Sequence, residues 1–433
     1  MSVRVIGAGF AGVEAAYTLT RLGHRVELFE MKPDKKSPAH KSDYFAEPVC
    51  SNSFKALGYE SSSGLLKEEM RRFGSLTLEA AGSSRVPAGG ALAVDREIFS
   101  KEVTDRINAD NMITVTNREV TDIDAGVPTI VATGPLTDGE LAKRLSDTAS
   151  GMLSFYDAAA PVIAASSIDL DRVFFADRYG YDREGDYLNC FFDREGYEDF
   201  IRELILAETA VFSDFEKEER VYESCMPIEK LAKRGMDAPR FGPMKPVGLV
   251  DPGTGRRPWA SVQLRKEDAG GRLYNIVGFQ TNLKFAEQRR IFRMIPGLEK
   301  AEFARYGVMH RNSFINSPEA LNITLNFKKN PNVYVAGMLT GMEGYMEAAV
   351  SGILAARFLH SELTGTMPGI PPETTMCGAL LRYITTQNRD FQPMGANFGL
   401  LPAIDIAVKS KKERRRALAE RALEDIDHFL GGS

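Results

Sequence analysis

The chain has 433 residues, room for two or three domains at about 150 residues each, so a single small binding module is excluded. Its 43% hydrophobic, 26% charged and 9% aromatic residues are those of a globular protein with a sizeable core, neither disordered nor fibrous. A net charge of −5 offers no global basic field, so a polyanionic partner would have to meet a local patch.

In chain order, Val3 to Gly12 reads as a short buried strand entering a glycine-rich turn. Val13 to Leu22 follows with helical periodicity, closed by Gly23, and His24 to Met31 is the next strand. The Pro, Lys and Ser-rich stretch from Lys32 to Ala46 reads as loop. It leads to Cys50-Ser-Asn-Ser53, whose side chains are helix N-cap candidates, and helix is expected from about Gly64 to Arg72. Val86-Pro-Ala-Gly-Gly90 reads as a turn, Asp95 as the cap of a helix through Ile107, and Thr129 to Gly134 as an apolar strand stopped by Gly-Pro.

From about Gly151 to Arg305 the texture changes. An acidic helical stretch, Tyr197 to Glu219, gives way to interrupted strands such as Trp259 to Arg265 and Leu273 to Gln280, the pattern of an inserted domain. Val333 to Gly337 returns to buried-strand character and is followed by Gly341, Gly344 and a small-residue helix. The first domain is therefore expected to be completed from the C-terminal side. The last helix, Val408 to Leu430, is basic early and acidic later. No basic segment with an apolar block opens the chain and no run of 18 uncharged apolar residues occurs, so neither an export signal nor a membrane span is expected. Four scattered cysteines argue against a disulfide framework or a zinc site and suggest a reducing cytoplasm.

Gly7-Ala8-Gly9 and Gly12 form G-x-G-x-x-G between a strand and a helix. The first glycine permits the turn, the second lets backbone approach a pyrophosphate, and the third allows close helix packing, with phosphates at the helix N-terminus. Glu30, 18 residues after Gly12, sits where a carboxylate accepts ribose hydroxyls. Lys32 is either a nucleotide contact or a solvated strand-end charge. FAD and NAD share this fingerprint. Only strand-Gly elements at Gly134 and Gly337 accompany it, with Gly341 beyond, so one resident dinucleotide is implied. That favours an embedded flavin visited transiently by NADH or NADPH.

Cys50 and Cys225 lie in polar, proline-adjacent sequence. A thiol at a helix N-terminus has a lowered pKa, although a cysteine taken alone is more often an inert small hydrophobe. Cys190 and Cys377 take the inert reading. His310, in the polar cluster Met309-His-Arg-Asn-Ser313, is open to two readings: a satisfied histidine, or a ring stacked on a planar ligand. No metal-binding or catalytic-triad spacing occurs. The run containing Lys409, Lys411, Lys412, Arg414, Arg415 and Arg416 is either a phosphate-contacting surface or a solvated helix face.

Long stretches resemble the bacterial folate- and FAD-dependent tRNA (uracil-5-)-methyltransferases. They include Val5-Ile-Gly-Ala-Gly-Phe-Ala-Gly-Val-Glu-Ala-Ala16, Cys50-Ser-Asn-Ser53 with Gly64-Leu-Leu-Lys-Glu-Glu-Met-Arg71, Val86 to Arg96, Phe155 to Pro161 and Cys225-Met-Pro227. Phe241 to Gly248, Tyr306 to Asn312, Gly341 to Tyr345 and Phe391 to Gly399 continue the series in order. The departures are small: Gly395 stands where the family often has Asn, and Leu57 to Ser63 diverges.

The resemblance implies an α/β fold, with a Rossmann-like FAD-binding domain of the glutathione-reductase type in residues 1–150 and 306–433 and an inserted α+β substrate domain over 151–305. It implies transfer of one carbon from 5,10-methylenetetrahydrofolate, with electrons from NAD(P)H, to C5 of the T-loop uridine at position 54 of tRNA. Cys225 matches the family's nucleophile, Cys50 its second cysteine and Tyr345 a position beside the flavin. His310 becomes the candidate for stacking on the pterin. Lys409, Lys411, Arg414 and Arg415, with Arg234 and Lys245 nearer the cleft, become candidates for RNA contacts. The same chemistry on a ribosomal RNA uridine, and a flavin oxidoreductase without RNA, are the alternatives.

Overall fold

A computed structural model describes residues 2–178, 180, 185–210, 226–404 and 410–431. Its first unit is a five-stranded parallel sheet in the order Val333–Val335, Thr129–Val131, Ser2–Ile6, Arg25–Glu30, Ile113–Asn117. A parallel sheet is covered on both faces, and its central strands bury their apolar residues while Arg4 and Glu27 pair at 3.6 Å in half-buried positions. Val3, Val5 and Ile6, with Val26, Leu28 and Phe29, are buried accordingly. The helix Phe10–Arg21 crosses the long helix Tyr345–Thr364 at Gly352, where a Cβ would lie 2.1 Å from Ala11 O. Only a residue without a side chain allows that approach, and Ala349, Ala355 and Ala356 extend the tight seam.

The second unit is a six-stranded antiparallel sheet: Val173–Phe175, Leu188–Phe192, Ala260–Lys266, Leu273–Ile276, Val162–Ala164, Phe303–Arg305. The helices Arg194–Leu206 and Phe285–Phe292 bury Phe200, Ile201, Leu204, Ile291 and Phe292 in a core of its own. Between the units runs a two-stranded ribbon, Met152–Ala158 paired with Met309–Ile315. Its Phe155 and Phe314 belong to the first core, so the chain leaves and re-enters the first unit side by side.

Asp95 caps the helix Arg96–Ala109, its Oδ1 accepting from Glu97 N and Ile98 N. The expectation at Cys50-Ser-Asn-Ser53 is corrected: Ser53–Ala56 is a strand paired with Ala91–Val94, and the next helix is Ser62–Phe73, capped by Ser61. The hydroxyls of Ser51 and Ser53 accept the N–H groups of Ser53 and Lys55, two residues on, which is turn chemistry rather than a helix start. The acidic helix ends at Leu206, with 211–225 outside the described residues, and the last helix is described as Lys411–Gly431. No helix among the described residues is long and apolar enough to cross a membrane, and no metal-holding cluster of His, Cys, Asp and Glu occurs among them.

Candidate active site

The glycine turn is built as its spacing requires. Gly7 has φ +96° and lies against Ala132, and a Cβ on Gly12 would sit 1.7 Å from Gly7 O. A Cβ on Gly9, by contrast, meets nothing within 4 Å. Gly9 opens the first turn of the helix Phe10–Arg21 onto a cavity of about 450 Å³. The N-terminus of the helix Tyr345–Thr364, preceded by Gly344, reaches the same cavity. Two helix dipoles thus favour anionic groups there.

Ala8, Glu30, Lys32, Gly134 and Gly337 line this cavity with Gly7 and Gly9. Glu30 ties the turn to the strand end: Oε2 accepts from Ala8 N at 2.8 Å and Oε1 from Lys32 N at 3.0 Å. Lys32 is buried rather than solvated, and its ammonium donates to Tyr44 O. Burial draws that ammonium below the ordinary lysine range, with Glu30 opposing. Gly337 N donates to Ser351 Oγ at 2.6 Å. Gly12 and Gly341 lie outside the lining. Gly12 serves packing, as its place in the motif predicts. Gly341, expected at the cofactor, instead makes room for the Phe391 ring, which a Cβ would meet at 2.6 Å.

Cys50 lines the cavity 3.0 Å from Tyr345 Oη, which also accepts from Cys50 N at 2.9 Å and Ser51 N at 3.3 Å. Tyr345 stacks on Phe10 at 4.7 Å, so the ring is fixed by the first turn of the dinucleotide helix. With no helix start at Cys50, the expected low thiol pKa is not found. Burial, reinforced by Asp157, pushes it up to about 12 against the Tyr345 hydrogen bond and Arg96. Cys190 and Cys377 are also buried and raised, in line with an inert reading.

Three arginines that sequence reading missed hold the Cys50 loop. Arg96 donates to Pro48 O and Val49 O while paired with Glu267 at 2.6 Å. Arg265 donates to Asn52 Oδ1 at 3.0 Å and Ser51 Oγ at 3.1 Å, and Arg305 to Val49 O at 3.4 Å. The last two come from the antiparallel sheet. No local pattern in the sequence marks them, because their partners lie more than 200 residues away.

His310 does line the cavity, on the ribbon opposite Asp157, and burial lowers its pKa. His40, which sequence reading also missed, joins it and accepts or donates at Ser37 Oγ, 2.6 Å away. Cys225 lies outside the described residues. Ile228, three residues later, donates its N–H to the carbonyl of Gln280, a cavity-lining residue. Lys409 is likewise outside them, while Lys411, Arg414 and Arg415 are exposed on the last helix and line no part of the cavity.

The model of the glucose inhibited division protein A family matches residues 2–367. The chain belongs to this family. It is 52% identical over 430 residues to the methylenetetrahydrofolate–tRNA-(uracil-5-)-methyltransferase TrmFO of Pelotomaculum thermopropionicum, covering 99% of this chain and 98% of that protein. It is also 52% identical over 430 residues to the protein of the same name from Geobacter sulfurreducens, covering 99% of each. Among solved structures, Aquifex aeolicus GidA shares the fold with a TM-score of 0.71 at 17% identity, over 99% of this chain and 76% of that one.

Proposed function

We propose that the chain methylates C5 of a tRNA uridine in the T loop, taking the carbon from 5,10-methylenetetrahydrofolate and electrons from NADH or NADPH, with FAD resident in the cavity. The observation that carries the reading is that one cavity holds both the Gly7–Gly9 turn and the Cys50–Tyr345 pair. Relatives identical at about half of all positions over nearly their whole length are named methylenetetrahydrofolate–tRNA-(uracil-5-)-methyltransferase, which supports the folate donor, the tRNA and the uracil C5 target. A cytoplasmic setting is part of the proposal, in keeping with the free thiols of Cys50, Cys190 and Cys377.

The residues present fit a dinucleotide: Gly9 and Gly134 leave open space at the cavity wall, and two helix N-termini face it. Gly7, Ala8 and Gly9 would hold the pyrophosphate and Glu30 the ribose, with Lys32 beside it. When bound, FAD supplies two-electron redox chemistry and a ring nitrogen able to accept a one-carbon unit. His310 is proposed to stack on the pterin.

Uracil C5 is a poor nucleophile until a thiolate adds to C6, which turns C5 into an enolate carbon able to attack a one-carbon electrophile. The family resemblance assigns that thiolate to Cys225. Cys50 is held as a neutral thiol, so with Tyr345 it holds a proton within the cavity rather than serving as a resting base. The uridine must leave its stack to reach either sulfur, at a cost of a few kcal/mol. Phosphate contacts from Lys411, Arg414, Arg415 and Lys409 would offset it.

The test is folate-dependent methylation by purified Cys225→Ala, with the modified position mapped in tRNA and ribosomal RNA. Loss of turnover with FAD retained, and 5-methyluridine confined to tRNA for the unaltered chain, is expected. Unchanged methylation by the variant, or product in ribosomal RNA, overturns the assignment.

A further inference from the structure

The stretch from Met226 to Arg257 holds seven basic and three acidic residues, in a chain whose net charge is −5. One of the three acids, Glu229, is buried and accepts from Thr281 Oγ1 and Asn282 N, so the outer face is more basic still. The stretch starts at the cavity, where Ile228 N bonds to Gln280 O at 2.8 Å. It then runs through the short helices Ile228–Lys233 and Ala238–Phe241 to Pro243, which packs on Gly278, two residues before Gln280. Ile228 and Pro243 thus both pack on the Gly278–Gln280 segment, whose Gln280 lines the cavity.

Its outer side is unusual for a self-contained fold. Phe241 is 78% exposed and Val250 59%, with Met236 and Val247 at 45% each. A single exposed apolar side chain needs no explanation, but four within 15 residues of sequence are apolar surface that folding does not use. Arg240, the neighbour of Phe241, lies over the Trp259 ring at 3.9 Å and donates to Trp259 O at 2.7 Å. That contact ties Arg240, next to Phe241, to Trp259, two residues after the exposed Arg256–Arg257 pair, and Lys233 is exposed at the end of the preceding helix. A stretch with a surplus of basic residues that also exposes apolar side chains, Asp237 being its one fully exposed acid, is complementary to a polyanion that also presents flat apolar faces. Nucleic acid is that polymer: bases stack on aromatic rings while cations follow the phosphates.

We propose that this face of the inserted unit is a second RNA-docking surface, with Phe241 stacking on an unpaired base and Lys233, Arg256 and Arg257 contacting phosphates. RNA is then held from the antiparallel unit as well as from the basic end of the last helix. The inference rests on the tRNA reading above and adds where the chain grips its substrate.

Filter binding of unmodified tRNA transcript, over a range of salt concentrations, tests it with Phe241→Ala and the double variant R256E/R257E. The flavin spectrum reports folding, and methylation by the unaltered chain is run in parallel. Phe241→Ala is expected to weaken tRNA binding about 5- to 150-fold, the size of one lost base–aromatic stack. The double variant is expected to weaken binding and to flatten the slope of log affinity against log salt by about 1 to 2 units. Wild-type affinity and slope in both variants overturn the surface while leaving the tRNA reading intact. Absence of tRNA methylation by the unaltered chain is instead a failure of that reading.

Discussion

The hydroxyl of Tyr345 accepts the backbone N–H groups of Cys50 and Ser51 and lies 3.0 Å from the Cys50 sulfur, sharing a hydrogen bond with that thiol. One phenol therefore orients a loop 295 residues away, and its hydrogen bond opposes the burial that raises the Cys50 thiol. Tyr345→Phe leaves two N–H groups without their acceptor, which costs about 1–3 kcal/mol for each buried group left unmade. The thermal midpoint is expected to fall and methylation to drop at least tenfold, while FAD binding persists because the Phe10 stack is kept. Unchanged turnover would remove Tyr345 from the machinery.

A thiol raised to about 12 is not a resting nucleophile. In a Cys225→Ala background, alkylation of Cys50 by iodoacetamide is expected to climb steadily with pH through 10, without the midpoint near 8.5 and levelling-off above it of an ordinary cysteine. A plateau below pH 9 would contradict the environment described.

Gly9 and Gly12 separate ligand space from packing. Gly9→Ala meets no protein atom within 4 Å. It is expected to fold with an unchanged apo midpoint and to lose flavin. Gly12→Ala drives a methyl into Gly7 O at 1.7 Å and should lose stability as well, by about 1–3 kcal/mol or more for such overpacking. Flavin absorbance per chain, together with apo thermal melts, distinguishes the two.

Glu30→Ala removes the acceptor of Ala8 N and Lys32 N together. At about 1.5–3 kcal/mol for a hydrogen bond to a charged group, FAD affinity measured by fluorescence quenching should weaken at least tenfold. Wild-type affinity would assign the ribose elsewhere.

His24 Nε2 and His360 Nδ1 are 2.8 Å apart, and one ring must be neutral to accept from the other. Burial lowers both pKa values, with His360 adding to the effect at His24 and Arg357 at His360. For a histidine whose folded pKa is depressed, stability is present above about 6.5 and is lost as pH falls below that value. The thermal midpoint should therefore fall between pH 7.5 and 5.5 by more in the unaltered chain than in His360→Gln. Parallel pH curves for the two would show that the pair carries no such dependence.

Much of the first unit was legible because its signals are local. Gly7, Gly9, Gly12 and Glu30 lie within one strand–helix–strand passage, and Asp95 caps the helix that it directly precedes. The serines after Cys50 misled because a hydroxyl that suits a helix cap suits a two-residue turn equally well. The choice went to the strand, where Ser53–Ala56 could pair with Ala91–Val94.

What the sequence determined by itself was chemistry carried by neighbouring residues: the glycine turn, the carboxylate at the end of the next strand, and the family pattern of cysteines and tyrosine. The tertiary structure alone decided that Tyr345 meets Cys50, that Arg265 and Arg305 reach across from the antiparallel sheet, and that Gly341 yields to Phe391. It also reversed the expected state of the Cys50 thiol. A side chain's protonation and contacts depend on what distant segments pack around it and how much water they displace, and that is settled only when the chain has closed on itself.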